Sequence, residues 1–326
     1  MNTETLASYS LVAIYSAMGV YLFAFIAFTL DLAKRSAETP IAAAVMPVAR
    51  RVGQLSASGG VTTLERPVAQ DAPAPVRRSS RFERVAYALT ILGWILHVGG
   101  TVLRGVAAGR VPWANMFEFS LTASAIIVGV FVFVQFWQNL KFLGAYITGF
   151  CLIVLGFGTV GFYVDVVPLP PALQSYWLII HVFVATLGTA FFAIGAGLSI
   201  VQLIQTRREA KKFPGLAFLD TIPNAEKLEN LAYRVIVVGF VFWTFTLMAG
   251  AIWAEHAWGR YWGWDTKEVW TFIIWTIFAG YIHARATRGW RGSRSAWLAI
   301  VGFGAVMFNF TIVNLFFKGL HTYSGL

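Results

Sequence analysis

Apolar residues gather along this chain into runs of about 20, the length that crosses a hydrocarbon core of about 30 Å at 1.5 Å per residue. Eight such runs stand out, at roughly 9–32, 85–103, 117–137, 143–163, 177–205, 231–252, 269–287 and 296–317. Within them Leu, Phe, Val and Ala follow one another, without the polar–apolar alternation over about ten residues that outer-membrane barrel strands require. The pattern predicts an all-α fold, a polytopic integral membrane helical bundle of about eight transmembrane helices. The first helix, in residues 1–33, runs into Asp31-Leu32-Ala33-Lys34-Arg35 and not into a small-residue cleavage site, so it reads as a membrane anchor and not a removable leader. Residues 34–82 carry Pro40, Pro47, Pro67, Pro73 and Pro75 among Ala, Ser and Arg, with almost no aromatics. Such a composition cannot bury a core, and it predicts a disordered cytoplasmic linker. Residues 83–326 then form a seven-helix unit, interrupted by a shorter polar loop at 207–229.

Composition supports a membrane solvent. Hydrophobic residues make up 58% and charged residues 12%, against about 25% charged in a soluble domain. The net charge of +10 would suggest a nucleic-acid partner in a soluble protein. Here its distribution gives the simpler explanation, because twenty Lys and Arg fall on one face of the predicted topology and five (Arg104, Arg110, Arg260, Lys267 and Lys318) on the other. The positive-inside rule then places both termini on the extracytoplasmic side. The single cysteine, Cys151, lies inside an apolar run, so the chain has no intramolecular disulfide and no CxxC redox pair.

The topology also sorts the five histidines. His181 lies at the outer end of the fifth span, His321 just beyond the eighth, and His256 in the outer loop between the sixth and seventh. His97 is in the outer half of the second span. His283 lies about 21 Å into the seventh span at helical rise, towards the cytoplasmic side. Ionisable groups at membrane depth are functional candidates, although a single one can serve only to hydrogen-bond a neighbouring helix. Two outer histidines from distant helix ends suit a hexacoordinate haem iron, which takes one ligand on each face of the ring. No HExxH and no cluster of carboxylates or thiols suggests zinc.

The most informative stretch runs from Trp253 to Glu268 and is followed by Trp270 and Trp275. Six of the 13 tryptophans fall within these 23 residues. An interfacial aromatic belt would spread over all helix ends. Indoles concentrated in one loop around Gly259 and Gly263 instead suggest a flat, polarisable platform for a planar macrocycle.

The run Trp258-Gly-x-x-Trp262-x-Trp264-Asp265, preceded by Gly250-Ala251-Ile252-Trp253-Ala254, resembles the WWD signature of the haem-handling protein family. Lys267-Glu268 and the later Tyr281-Ile282-His283-Ala284-Arg285 resemble its CcsA/ResC branch, which serves the system II pathway of cytochrome c biogenesis. Tyr176 to Val182 and Gly319 to Tyr323 are similar to the segments that carry that branch's two outer histidines. The resemblance covers about residue 84 to the C-terminus. One departure is Thr266, where the family usually has Pro.

The resemblance implies a multi-pass protein of the cell or thylakoid membrane that moves haem b across it. The haem would be presented at an outer WWD segment, 253–268, for thioether attachment to the CxxCH motif of apocytochrome c. It implies that His181 and His321 are the axial ligands there, that Trp253, Trp258, Trp262, Trp264 and Asp265 shape the site, and that His283 belongs to an inner haem site. The implied partners are a CcsB/ResB-type membrane subunit, apocytochrome c, a thioredoxin-like thiol reductant and the lipid bilayer, together forming a cytochrome c haem lyase complex. No side chain is an obvious acid or base, so catalysis would consist of positioning and protection. A b-type cytochrome would usually pair histidines 13–14 residues apart on two helices, and His283 has no such companion. A secondary transporter would be expected to show broken helices and internal repeats.

Overall fold

The computed structural model describes residues 2–45, 79–169, 173–211, 216–287 and 289–321. Each predicted span corresponds to one long helix: α1 (Thr3–Val45), α2 (Arg81–Ala108), α3 (Met116–Val134), α4 (Gly144–Gly161), α5 (Tyr176–Lys211), α6 (Ala225–Trp258), α7 (Thr266–Thr287) and α8 (Ser293–Phe308). Beyond α8 the chain continues through a π turn, Asn309–Val313, and a last α turn, Asn314–Phe316. Among the described residues no strand occurs. Seven of the eight helices are long and apolar enough to cross a membrane; α7, with Lys267, Glu268, His283 and Arg285 among its 22 residues, falls outside that set.

Local chemistry sets the helix ends. Ser80, Asn115 and Asn224 accept hydrogen bonds from the backbone N–H three residues on, starting α2, α3 and α6. α1 extends to Val45, past the boundary at residue 33 expected from composition. The rest of the predicted linker, residues 46–78, lies outside the described residues.

With lipid as solvent, helices associate by close packing and not by escape from water, so small residues matter at their seams. α1 lies along α2 with Tyr21 and Ile14 over Gly93 and Gly100, and α5 lies along α6 with Ile236 and Phe192 over Gly195 and Gly239. α3 and α4 pack against each other, and α8 packs against α5 and α7. Large apolar side chains such as Phe23, Ile95, Phe157, Met248 and Val301 are left on the outside, where lipid would meet them.

The two ends of the bundle differ. At one end, buried Arg35 pairs with Asp31 at 2.5 Å and with Glu83, while Arg285 pairs with Glu229 at 3.5 Å. At the other, fully buried Glu118 takes Arg104 at 3.0 Å and Arg110 at 2.5 Å, tying the α2–α3 turn to the start of α3. This second end, the aromatic end, carries the α6–α7 loop and the segment after α8.

Candidate functional site

At the aromatic end a cavity of ≈ 220 Å³ opens among α3, α5, α6, α7 and the segment after α8. His181, His321, Trp253 and Trp262 all line it. Residues 140 apart in sequence thus reach one space.

His181 sits in the second turn of α5, and its Nδ1 is 3.1 Å from the Thr246 carbonyl on α6. A carbonyl only accepts, so Nδ1 carries the proton and Nε2 keeps a lone pair. Gly250 makes this approach possible: a Cβ there would lie 2.8 Å from His181 Cε1. The Trp253 indole stacks on the imidazole at 5.7 Å between centroids and 13° between planes.

His321 reaches the same indole from the other end of the sequence, 5.3 Å away, and meets Trp258 edge-on at 4.7 Å. Its Nδ1 lies 3.0 Å from Asp265 Oδ1. Asp265 Oδ2 accepts the Leu320 N–H at 2.8 Å and Oδ1 accepts the Lys267 N–H at 3.0 Å. Burial alone would raise the Asp265 carboxyl, but the hydrogen bond from His321 and those two backbone N–H groups outweigh it and hold the group down at about 2. The carboxylate is therefore ionised and accepts the Nδ1 proton. As at His181, Nε2 is left without a partner among the described residues. Gly319 lies so close to Asp265 that a side chain there would collide with the carboxylate.

The loop that carries Asp265 is held from α7. Glu268 Oε2 accepts the N–H groups of Gly263 at 2.8 Å and Asp265 at 3.0 Å, behind a helix end where Gly259 turns left-handed at φ 67°. Trp264 is forced to φ 60°, a conformation disfavoured for a bulky side chain.

The predicted tryptophans thus divide by position. Trp253 and Trp262 line the cavity, Trp258 buttresses Trp253 at 4.8 Å, and Trp264 stands 73% exposed, edge-on to Trp262. His283 is exposed near the opposite end of α7. His97 is fully buried on α2, with the Tyr21 hydroxyl 3.4 Å from its Nδ1, and does not meet His283. His256 is exposed, binds its own helix at Ile252 O and does not line the cavity.

Sequence reading passed over several residues that the fold brings here. Trp113 and Asn115 arrive from the α2–α3 turn, and Asn309 and Asn314 from the segment after α8. Two asparagines within an apolar span were the available signal, since an amide in lipid must find a partner.

Residues 113–321 match the family described as Cytochrome C assembly protein. The chain is 36% identical over 261 residues to a cytochrome c biogenesis protein CcsA of Guillardia theta, covering 74% of this chain and 86% of that one. It is 33% identical over 263 residues to the protein of that name from Synechococcus elongatus, covering 68% and 81%. Among solved structures, a cytochrome c heme lyase CcmF superposes with a TM-score of 0.62 at 14% identity, over 95% of this chain and 47% of that one. That likeness concerns the fold.

Proposed function

The chain belongs to the CcsA family of cytochrome c biogenesis proteins, and from that premise we propose that its cavity is the site where haem b is held for attachment to apocytochrome c. The protein is a multi-pass membrane protein of cytochrome c maturation. The finer reading rests on one observation: both cavity histidines have Nδ1 engaged, His181 by a carbonyl and His321 by a carboxylate, and both leave Nε2 uncommitted. This is the outer-shell arrangement that metal-binding histidines need, fixing tautomer and ring orientation. Haem, as substrate, supplies an iron with two axial positions and two vinyl groups.

The chain's residues then act by holding. His181 and His321 occupy both axial positions and keep oxygen from the iron. Trp253 and Trp262 bound the space beside them, and Trp258 braces His321. Each CxxCH thiol adds S–H across one vinyl C=C, sulfur to one carbon and hydrogen to the other, so no atom is lost and no electron is transferred. Reduced thiols are required, which calls for a thioredoxin-like reductant upstream. The histidine of the CxxCH motif replaces one protein ligand and carries the product away. On this reading the aromatic end faces the extracytoplasmic side, and a CcsB/ResB-type subunit completes the haem lyase. That subunit also contributes the ligand opposite His283 at an inner haem site. Exposure of His283 on α7 suits a ligand from another chain, and buried His97 does not.

His181→Ala and His321→Ala should each abolish haem attachment, and free imidazole should partly restore it by filling the vacated position. His256→Ala should retain most activity. Equal loss in His256→Ala, with no rescue by imidazole in the other two, would reject axial ligation.

A further inference from the structure

The geometry points to a carboxylate-binding subsite in the wall of this cavity, formed by Asn309, Asn314 and Lys267. It deepens the haem reading above and rests on it, because it assigns the two propionates of the macrocycle to named side chains.

The backbone carries the first part. In an α-helix at 3.6 residues per turn, side chains five apart diverge by about 140°. The π turn over Asn309–Val313 widens the helix there, and π turns of this kind recur at functional sites. Asn309 and Asn314, five apart, both line the cavity. Asn314 is 6% exposed, and the Oδ1 atoms of both asparagines are buried without a hydrogen-bond partner among the described residues. A buried amide left unsatisfied is costly, so two on one wall indicate a polar group that belongs between them. Half a turn about the last side-chain bond presents two N–H donors in place of the oxygen.

Charge carries the second part. Lys267 lines the same cavity and makes no ion pair among the described residues. The two carboxylates nearest in sequence are already engaged. Asp265 holds His321, Leu320 and the Lys267 N–H, and Glu268 holds Gly263 and Asp265. No carboxylate lies within ion-pairing distance of the ammonium, although Asp265 attracts it from farther off, so an anion brought by the ligand can add a direct contact. An ammonium and two amides lining one cavity can recognise a carboxylate through charge-assisted hydrogen bonds. In haem the propionates occupy the edge opposite the vinyls. Anchoring them at the segment after α8 fixes rotation about the His181–iron–His321 axis and turns the vinyl edge away, towards the acceptor.

The purified full-length chain is titrated in detergent with ferric haem and with haem dimethyl ester, whose propionates are uncharged, while the Soret band is followed. The unaltered chain should bind haem at least about tenfold more tightly than the diester, a margin of one or two such bonds. In Lys267→Met and in Asn309→Leu/Asn314→Leu, haem affinity should fall to that of the diester while diester affinity holds, and Lys267→Arg should restore the preference. The asparagine variant removes two buried amide oxygens that lack a hydrogen-bond partner, so its apo form should melt no lower than the unaltered chain. Should that variant fail to fold, the two lysine variants alone decide the result. Equal affinity for both ligands in the unaltered chain, or an undiminished preference in Lys267→Met, overturns the subsite. A Soret band unchanged by His181→Ala would count instead against the axial assignment on which it rests.

Discussion

Asp265 shows how much a single residue determines here. One carboxylate receives the His321 imidazole, the Leu320 N–H and the Lys267 N–H, and it stays ionised at about 2 because those donors outweigh burial. Asp265→Asn keeps the shape and removes the charge. Loss of such an outer-shell partner costs about 10–100-fold in metal affinity. Haem retained through purification should fall accordingly, and the reduction potential of what remains should rise because a less basic imidazole favours the ferric state less. A potentiometric titration matching the unaltered protein would refute the role. Gly250→Ala tests the other proposed ligand, His181. Its methyl would meet His181 at 2.8 Å, so the imidazole should leave the Thr246 carbonyl and the Soret band should shift or weaken. The histidines and tryptophans were legible in the sequence because such residues are conspicuous at helix ends. Their partners were not. Thr246 lies 65 residues from His181 and acts through its backbone carbonyl, which no residue type announces.

At the scale of elements, hydrophobic run length located the eight helices of the described residues, and for the seven that are long and apolar enough to cross a membrane the reason is the length the bilayer imposes. Their ends were less legible. Pro40 reads as a breaker, yet α1 passes it and continues through the Ala-rich stretch to Val45. The π turn after α8 left no signature in Asn309-Phe310-Thr311-Ile312-Val313 beyond a polar residue where an apolar one is expected. Its consequence concerns the chain's last turn. The final α turn closes at Phe316, so insertion of the eighth span needs nothing beyond it. Gly319, Leu320 and His321 instead dock on Asp265, supplied by the loop before α7. A chain ending at Leu320 keeps the backbone bond and loses the imidazole. It should accumulate in the membrane at normal abundance and yet mature no c-type cytochrome. Normal cytochrome c levels with that truncation would remove His321 from the site.

The whole molecule separates two kinds of polar burial by end. The Arg35–Asp31–Glu83 and Arg285–Glu229 clusters tie helices together at the end where the chain concentrates its Lys and Arg, and neither contributes to the cavity. The aromatic end holds the cavity, both uncommitted Nε2 atoms and, among the described residues, only five Lys and Arg side chains, Arg104, Arg110, Arg260, Lys267 and Lys318. An even number of spans would place residues before α1 and after α8 on the same side, and by the positive-inside rule the charge asymmetry predicts that this side faces outwards. The proposed function calls for the same orientation, because thioether formation would need the site open to a compartment where apocytochrome c arrives unfolded. Alkaline-phosphatase fusions put charge and chemistry to one test. Fusions after residues 110, 170, 260 and 326 should be active, and those after 70, 141 and 215 inactive. Residue 141 is the most exacting point, since Lys141 sits beside Glu83 at 3.8 Å in the basic cluster. An active fusion there would place that cluster outside, invert the bundle, and leave His181 and His321 facing the cytoplasm with no acceptor to serve.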